Sequence, residues 1–337
     1  MRTLSERVAK YAGSGIVVWL VVTILLVIAF SFAKGFATPE NLTSVSRQGA
    51  VLALVALAQF FVVLVGHVDL SIAANAKLAA LLAAIVMDGT DRNLLTGALV
   101  AILIGVAVGT LNAIVVVALK VESFIATLGT AAIVQGVALF VAPTPVGKSS
   151  PALVQFYGAQ VFGGIYLVVL VVALLWGVSW LALRRTVWGG HVFAVGGDPA
   201  VAALSGVRSS RIMISSFLTS GVLGALAGLL ILATSGVGDP TAAEGLQFTT
   251  LAVVVIGGAS LAGGRGTLIG LLGGVVLFAL LGNVFNLLHV DVWYQELLRG
   301  LIILLAAAMF VSRVAKRRRS KKKPDAERRP TREKVDA

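Results

Sequence analysis

Few side chains in this 337-residue chain have the types and spacing to do covalent chemistry. The three histidines, His67, His191 and His289, are scattered with no paired spacing, and there is no cysteine. A histidine- or thiolate-bound metal, a disulfide framework and a cysteine nucleophile are therefore not expected. The stretch "PTPVGKSS" at 143–150 ends like a phosphate-binding loop, but Ala142 stands where its first glycine belongs. "GGASLAGGRG" at 257–266 has the glycines without the Lys-Ser/Thr pair that follows them in a phosphate cradle. No serine–histidine–acid set and no carboxylate pair can be assembled by spacing. The expectation is a protein with no catalytic residues, no metal site and no cofactor of its own.

What remains is a small set of polar groups inside apolar runs. Asp69, Ser71, Asn75 and Lys77 follow one another, Gln59 precedes them, and Glu296 and Arg299 stand three apart so that they can neutralise each other on one helical face. A charged side chain at mid-membrane costs roughly 2.5–3.5 kcal/mol on insertion scales, so such groups face protein or water. Asp69 begins a run, where a carboxylate can cap free N–H groups and complement the helix dipole. A direct contact with a passing solute is the alternative role. A proton-relay transporter would string several acids through its spans, and the deep acids here are too few and too terminal for that.

The elements that must hold these groups are membrane spans. The chain is 58% hydrophobic and 12% charged, with mean hydropathy +0.99; soluble domains carry about a quarter charged residues. Nearly every long apolar run has the roughly 17–25 residues a transmembrane helix needs. The fold expected is an all-α membrane protein of about ten transmembrane helices, at 15–33, 50–66, 70–87, 94–119, 124–142, 161–183, 212–234, 246–262, 267–288 and 293–312. The first is read as a retained helix, since no small-residue cleavage site ends it. Spans two and three are separated only by "HVD", and eight and nine only by "GGRG". Each junction must be a tight turn, or a broken helix whose freed backbone groups are buried in protein.

Basic residues orient the bundle. With the N-terminus inside, Arg2, Arg7, Lys10, Lys120, Arg184, Arg185, Arg208, Arg211 and Arg265 fall on the cytoplasmic side, against Lys34, Arg47, Arg92 and Lys148 outside. Glu40, Asp88, Asp91, Asp239, Glu244 and Asp291 lie in outside loops. The chain then divides into a cytoplasmic segment 1–14, a transmembrane domain 15–312 with a long cytoplasmic loop 184–211, and a basic tail 313–337. From Arg313 on there are twelve Lys or Arg against four Asp or Glu, two thirds of the formal +12. That tail reads as an anchor on anionic lipid rather than a nucleic-acid site, with a regulatory role as the alternative.

Small residues recur at four-residue spacing: Gly105 and Gly109, Gly224 and Gly228, and Gly266, Gly270 and Gly274. Small-xxx-small faces let helix backbones approach closely, for packing or for a sliding face. Gly257, Gly258, Gly263 and Gly264 join them as packing or tight-turn positions. The cytoplasmic loop "GGHVFAVGGDPAVAALSG" at 189–206 is unusual in so apolar a chain. Its second half reads as a short helix, with Asp198 as N-cap, Pro199 in the first turn and Gly206 as stop. The glycines before it allow a sharp approach turn.

Four segments carry a resemblance. "GGHVFAVGGDPAVAALSGV" (189–207), "VGHVDLSIAA" (65–74), "ESFIATLGT" (122–130) and "LAVVVIGGASLAGGRGTLIG" (251–270) resemble bacterial ABC importer permeases of the ribose/monosaccharide class. The likeness runs from about residue 36 to 312. It implies two permease subunits, identical or different, forming one pathway, cytoplasmic ATPases docked beneath, and an extracytoplasmic solute-binding protein above. It also implies that the loop after span six is a coupling helix, making Gly196, Gly197, Asp198, Pro199, Ala203, Leu204, Ser205 and Gly206 the ATPase-contact candidates; an ordinary capped surface helix is the alternative. The sequence departs from the family pattern at Gly190, where a basic residue often stands, at His67, at Ala73, and at Gln247 and Thr249, where an acidic pair is common.

The function expected is the permease subunit of an ATP-driven importer in the bacterial inner membrane, both termini cytoplasmic, carrying a small polar solute, foremost a monosaccharide. The solute would be received at loops 143–163 and 236–246. It would pass the polar edges of spans two, three and eight, at Gln59, Asp69, Ser71, Asn75, Gln247 and Thr249. Rival readings are a related permease for a nucleoside, a furanosyl signal or a branched-chain amino acid, an ion-coupled secondary transporter, and a scaffold.

Overall fold

The computed structural model describes residues 15–291 together with positions 293–295, 297, 298, 300, 301 and 304. The N-terminal segment, the basic tail, the Glu296–Arg299 pair and much of the tenth expected span lie outside the described residues.

The described residues form α1 (Ile16–Phe32), α2 (Pro39–Leu64), α3 (Ile72–Met87), α4 (Leu94–Ala113, continued as a π-helical turn over Ile114–Ala118), α5 (Ser123–Val141) and α6 (Pro151–Gly158). A two-residue hairpin follows, β1 (Gln160–Val161) and β2 (Ile165–Tyr166). Then come α7 (Leu167–Arg185), α8 (Val187–Gly197), α9 (Pro199–Leu204), α10 (Ser209–Ser235), α11 (Leu246–Ile256) and α12 (Leu268–Leu287). Six of these stretches are long and apolar enough to cross a membrane: 39–64, 91–118, 123–141, 167–185, 209–235 and 268–287; α1, α3 and α11 are shorter apolar helices. The molecule is an all-α membrane bundle.

Several helices begin on side-chain caps. The Thr38 hydroxyl accepts from the Asn41 N–H with Pro39 in the first turn of α2, the Glu122 carboxylate accepts from Ile125 N–H at α5, and the Thr267 hydroxyl from Gly270 N–H at α12. Each satisfies an N–H that has no partner within its own helix.

Three boundaries differ from expectation. Span two starts eleven residues earlier, at the Thr38–Pro39 cap. Residues 161–166 of span six belong to the hairpin, where Phe162 and the glycines 163 and 164 take positive φ. Span eight is helical only over Leu246–Ile256, because Gly258, Gly263 and Gly264 all adopt the left-handed region that ends a helix.

α10 runs through the middle, against α2, α3 and α4. Gly105 of α4 and Gly221 of α10 face each other backbone to backbone, and a Cβ on either would overlap the other's carbonyl. Gly109 sits on the Phe217 carbonyl, and Gly228 on that of Ala76. α12 meets α11 in the same way, through Gly270 on Gly257 and Gly274 on Val253. The C-terminal half of α2 is buried on every side, with Leu57, Phe60 and Leu64 in a core shared with Val253 and Leu271. α4, α5 and α7 present Leu95, Phe140 and Leu174 outward, which in a bilayer is contact with lipid or another subunit.

Loops gather at two ends. At one, Val146 and Gly238 exchange backbone hydrogen bonds of 2.8 and 3.0 Å, and Gly89 N–H donates to the Lys148 carbonyl. Arg47 of α2 stacks there on Tyr157 (5.5 Å) and Tyr166 (4.5 Å), clamping α6 and the hairpin. At the other end lie the α2–α3 and α11–α12 connections and the α8–α9 elbow.

Candidate solute path and coupling elbow

α2 and α3 are joined by a largely buried non-helical segment, 65–71, several of whose polar groups find partners inside the protein, whereas His67 Nε2 has none. Val68 N–H donates to Ser123 Oγ (3.2 Å) and Leu70 N–H to Thr127 Oγ1 (3.0 Å), both from α5. Asp69 Oδ1 accepts from the Ser71 N–H (2.9 Å), the Ser71 hydroxyl (2.6 Å) and Asn112 Nδ2 of α4 (3.3 Å). Its Oδ2 accepts from the Ser220 hydroxyl of α10 (2.9 Å). The carboxylate is thus a three-element clamp, consistent with the rule that buried charges survive only when hydrogen-bonded. Asn75 Nδ2 donates to the Gly221 carbonyl (2.8 Å), at the same α4–α10 contact.

Of the six expected path residues, Gln59, Asp69, Ser71 and Asn75 are buried against the bundle interior. Thr249 is buried and returns its hydroxyl to the Gly245 carbonyl (3.3 Å), while Gln247 is half-buried. Asp69 and Ser71 are bonded to each other, while no side-chain hydrogen bond joins them to Gln59, Gln247 or Thr249. Neither amide atom of Gln59 has a protein partner, nor do Asn75 Oδ1 and Asn112 Oδ1. Each unsatisfied buried group costs about 1–3 kcal/mol.

A polar group that does converge was not expected as a set. Lys77 Nζ of α3 donates to Gln135 Oε1 of α5 and stands 3.9 Å from Glu244 Oε1 in the α10–α11 loop. Gln135 Nε2 donates to the Pro240 carbonyl of that loop (3.3 Å). Beside it, the Thr241 N–H and hydroxyl both donate to Asp239 Oδ1 at 2.7 Å and hold its carboxyl below the usual carboxylate range. Lys77 is visible in sequence as a charge in an apolar run, whereas Gln135 is a lone amide in α5 with nothing nearby to mark it.

The elbow is two helices. α9 starts on Asp198, whose Oδ1 accepts from the Ala200 (2.9 Å) and Val201 (3.2 Å) N–H groups, and it ends before Gly206 at φ +82°. Val201 and Leu204 are exposed, Leu204 by 90%. α8 is pinned by Trp188, which donates to Ser215 Oγ (2.8 Å) and lies 5.7 Å from the Phe61 ring. Gly196 and Gly197 are not an approach turn; they form the last helical turn of α8. Gly196 is buried against the Leu64 carbonyl and Gly264, which removes it from the candidate ATPase surface, while Gly197 through Pro199 and Ala203 through Gly206 are exposed. The Leu64 carbonyl accepts from Gly264 N–H (2.9 Å), so the elbow, the α2–α3 break and the α11–α12 turn meet at one backbone junction.

A bundle of apolar helices around polar, non-helical breaks is an integral membrane protein whose interior is built for more than packing. The chain belongs to the family described as the branched-chain amino acid transport system / permease component, whose model matches residues 41–307. It is 33% identical over 296 residues to the ribose import permease protein of Bacillus subtilis, covering 85% of this chain and 89% of that one. It is 31% identical over 287 residues to the ribose import permease protein of Escherichia coli K12, covering 84% and 89%. With the fructose import permease protein of Rhizobium meliloti it shares 33% identity over 327 residues, covering 91% and 89%. No solved structure matches the chain. The protein is a multi-pass permease-type transport subunit.

Proposed function

We propose that this chain forms the translocation path of an ATP-driven monosaccharide importer in the bacterial inner membrane, with ATP hydrolysed on a separate cytoplasmic chain. The observation that carries this reading is the likeness along most of the chain to ribose and fructose import permeases. Ten spans with both termini cytoplasmic, a second permease subunit, and a solute-binding protein at loops 143–163 and 236–246 complete the assembly. The path runs beside the polar groups of α2, α3 and α11 identified above. The basic tail rests on anionic lipid. Residues 197–206 seat in the ATPase, with Leu204 as the apolar anchor; a 90% exposed leucine on a capped, rigid helix supports that role.

Because the chain has no cysteine, Leu204→Cys introduces a single thiol. With the partner ATPase bearing one cysteine in its docking cleft, oxidation should give a disulfide-linked heterodimer, in a yield that changes on adding ATP. A Gly236→Cys control at the opposite end should give none. Equal crosslinking from both ends would contradict the assignment.

A further inference from the structure

Lys77 is a membrane-depth charge that neither the Asp69 clamp nor the elbow uses. It lies five residues into α3 with its side chain 5% exposed. Intramembrane ionisable groups are rare and face protein or a polar cavity. An ammonium has three donors; one goes to Gln135, and the Glu244 carboxylate at 3.9 Å is beyond hydrogen-bond reach. The Glu244 side chain is 70% exposed, so the pair has one buried and one open end. α11 has 11 residues, about 16 Å at 1.5 Å per residue, roughly half a hydrocarbon core. The loop before it reaches inward, as its contacts with Lys77 and Gln135 show.

We propose that Lys77, Gln135 and Glu244 form a solute-binding station for a neutral polyhydroxylated molecule, whose hydroxyls enter between the ammonium and the Glu244 carboxylate and replace their loose pairing. A hydroxyl both donates and accepts, so it can satisfy the Lys77 N–H groups, the Gln135 amide and the Glu244 oxygens at once. A solute ammonium would be opposed by Lys77. A solute carboxylate would be opposed by Glu244 and by Asp239, which adjoins the Pro240 carbonyl that holds Gln135. Glu244 can yield because its side chain is largely in the open. The station rests on the importer reading and adds to it where, and by what charge rule, the solute is selected.

The test is saturation-transfer NMR on the purified chain in nanodiscs, without ATPase or binding protein, using D-ribose, D-fructose and L-arabinose, then D-glucosamine and D-glucuronate. The wild type should bind at least one neutral sugar and neither charged one. Gln135→Leu and Lys77→Met should weaken neutral-sugar binding at least tenfold, Lys77→Met should admit glucosamine, and Glu244→Gln should admit glucuronate. Glu244→Gln lies on an exposed side chain, so it keeps the test decisive if Lys77→Met fails to fold. No neutral-sugar signal in the wild type, or lowered thermal stability with unchanged selectivity, would overturn the station. Failure of the importer reading looks different: sugar binds with this selectivity, but no ATPase drives its uptake.

Discussion

Asp69 shows how far single residues can be read. Its place at the start of an apolar run pointed to a capping carboxylate, but α3 starts after Ser71 with no side-chain cap, and Asp69 accepts from the Ser71 N–H just outside the helix. Its bond to Ser220, 151 residues away, and its contact with Asn112 depend on how α4 and α10 cross, which no local pattern encodes. The pairing of Lys77 with Gln135, 58 residues apart, was hidden for the same reason. Ser220→Ala should leave a buried carboxylate oxygen short of a partner and lower stability by about 1–3 kcal/mol, read as a fall in thermal midpoint of the detergent-solubilised chain. Gly221→Val should do worse, because it drives a side chain into the Gly105 backbone; Gly190→Ala, which meets open space, should be neutral in the same melt.

At the scale of elements, hydropathy located the apolar helices, since lipid demands continuous apolar length and satisfied backbone groups. It misjudged where they stop. The run "LAVVVIGGASLAGG" is apolar apart from Ser260, and glycine at positive φ, first at Gly258, ends α11 rather than polarity. α9 was readable because its Asp-Pro start and Gly stop are local, whereas α8 was not: its glycines look like turn residues yet lie within the helix, where only Gly196 packs on α2. Asp198→Ala removes both cap bonds and should cost α9 about 1 kcal/mol, reducing sugar-dependent stimulation of the partner ATPase more than basal ATP hydrolysis. Leu204→Asp should abolish ATPase co-purification while the permease melts unchanged.

Across the whole molecule, the two broken helices and the elbow meet through backbone at Leu64, Gly196 and Gly264, and the opposite loops are stitched through Val146 and Gly238. α9 is joined to the α2–α3 break through Gly196 of α8, and Asp69 ties that break to α4 and α10. The central claim is that this bundle moves solute only when another chain's ATP works on that elbow. Its most direct measurement is radiolabelled uptake of ribose, fructose or arabinose into proteoliposomes holding this chain, with the ATPase, the binding protein or both omitted in turn. The account predicts uptake only with both partners and ATP present, unaffected by an uncoupler. Uptake by the chain alone, collapsing with the uncoupler at constant ATP, would contradict it.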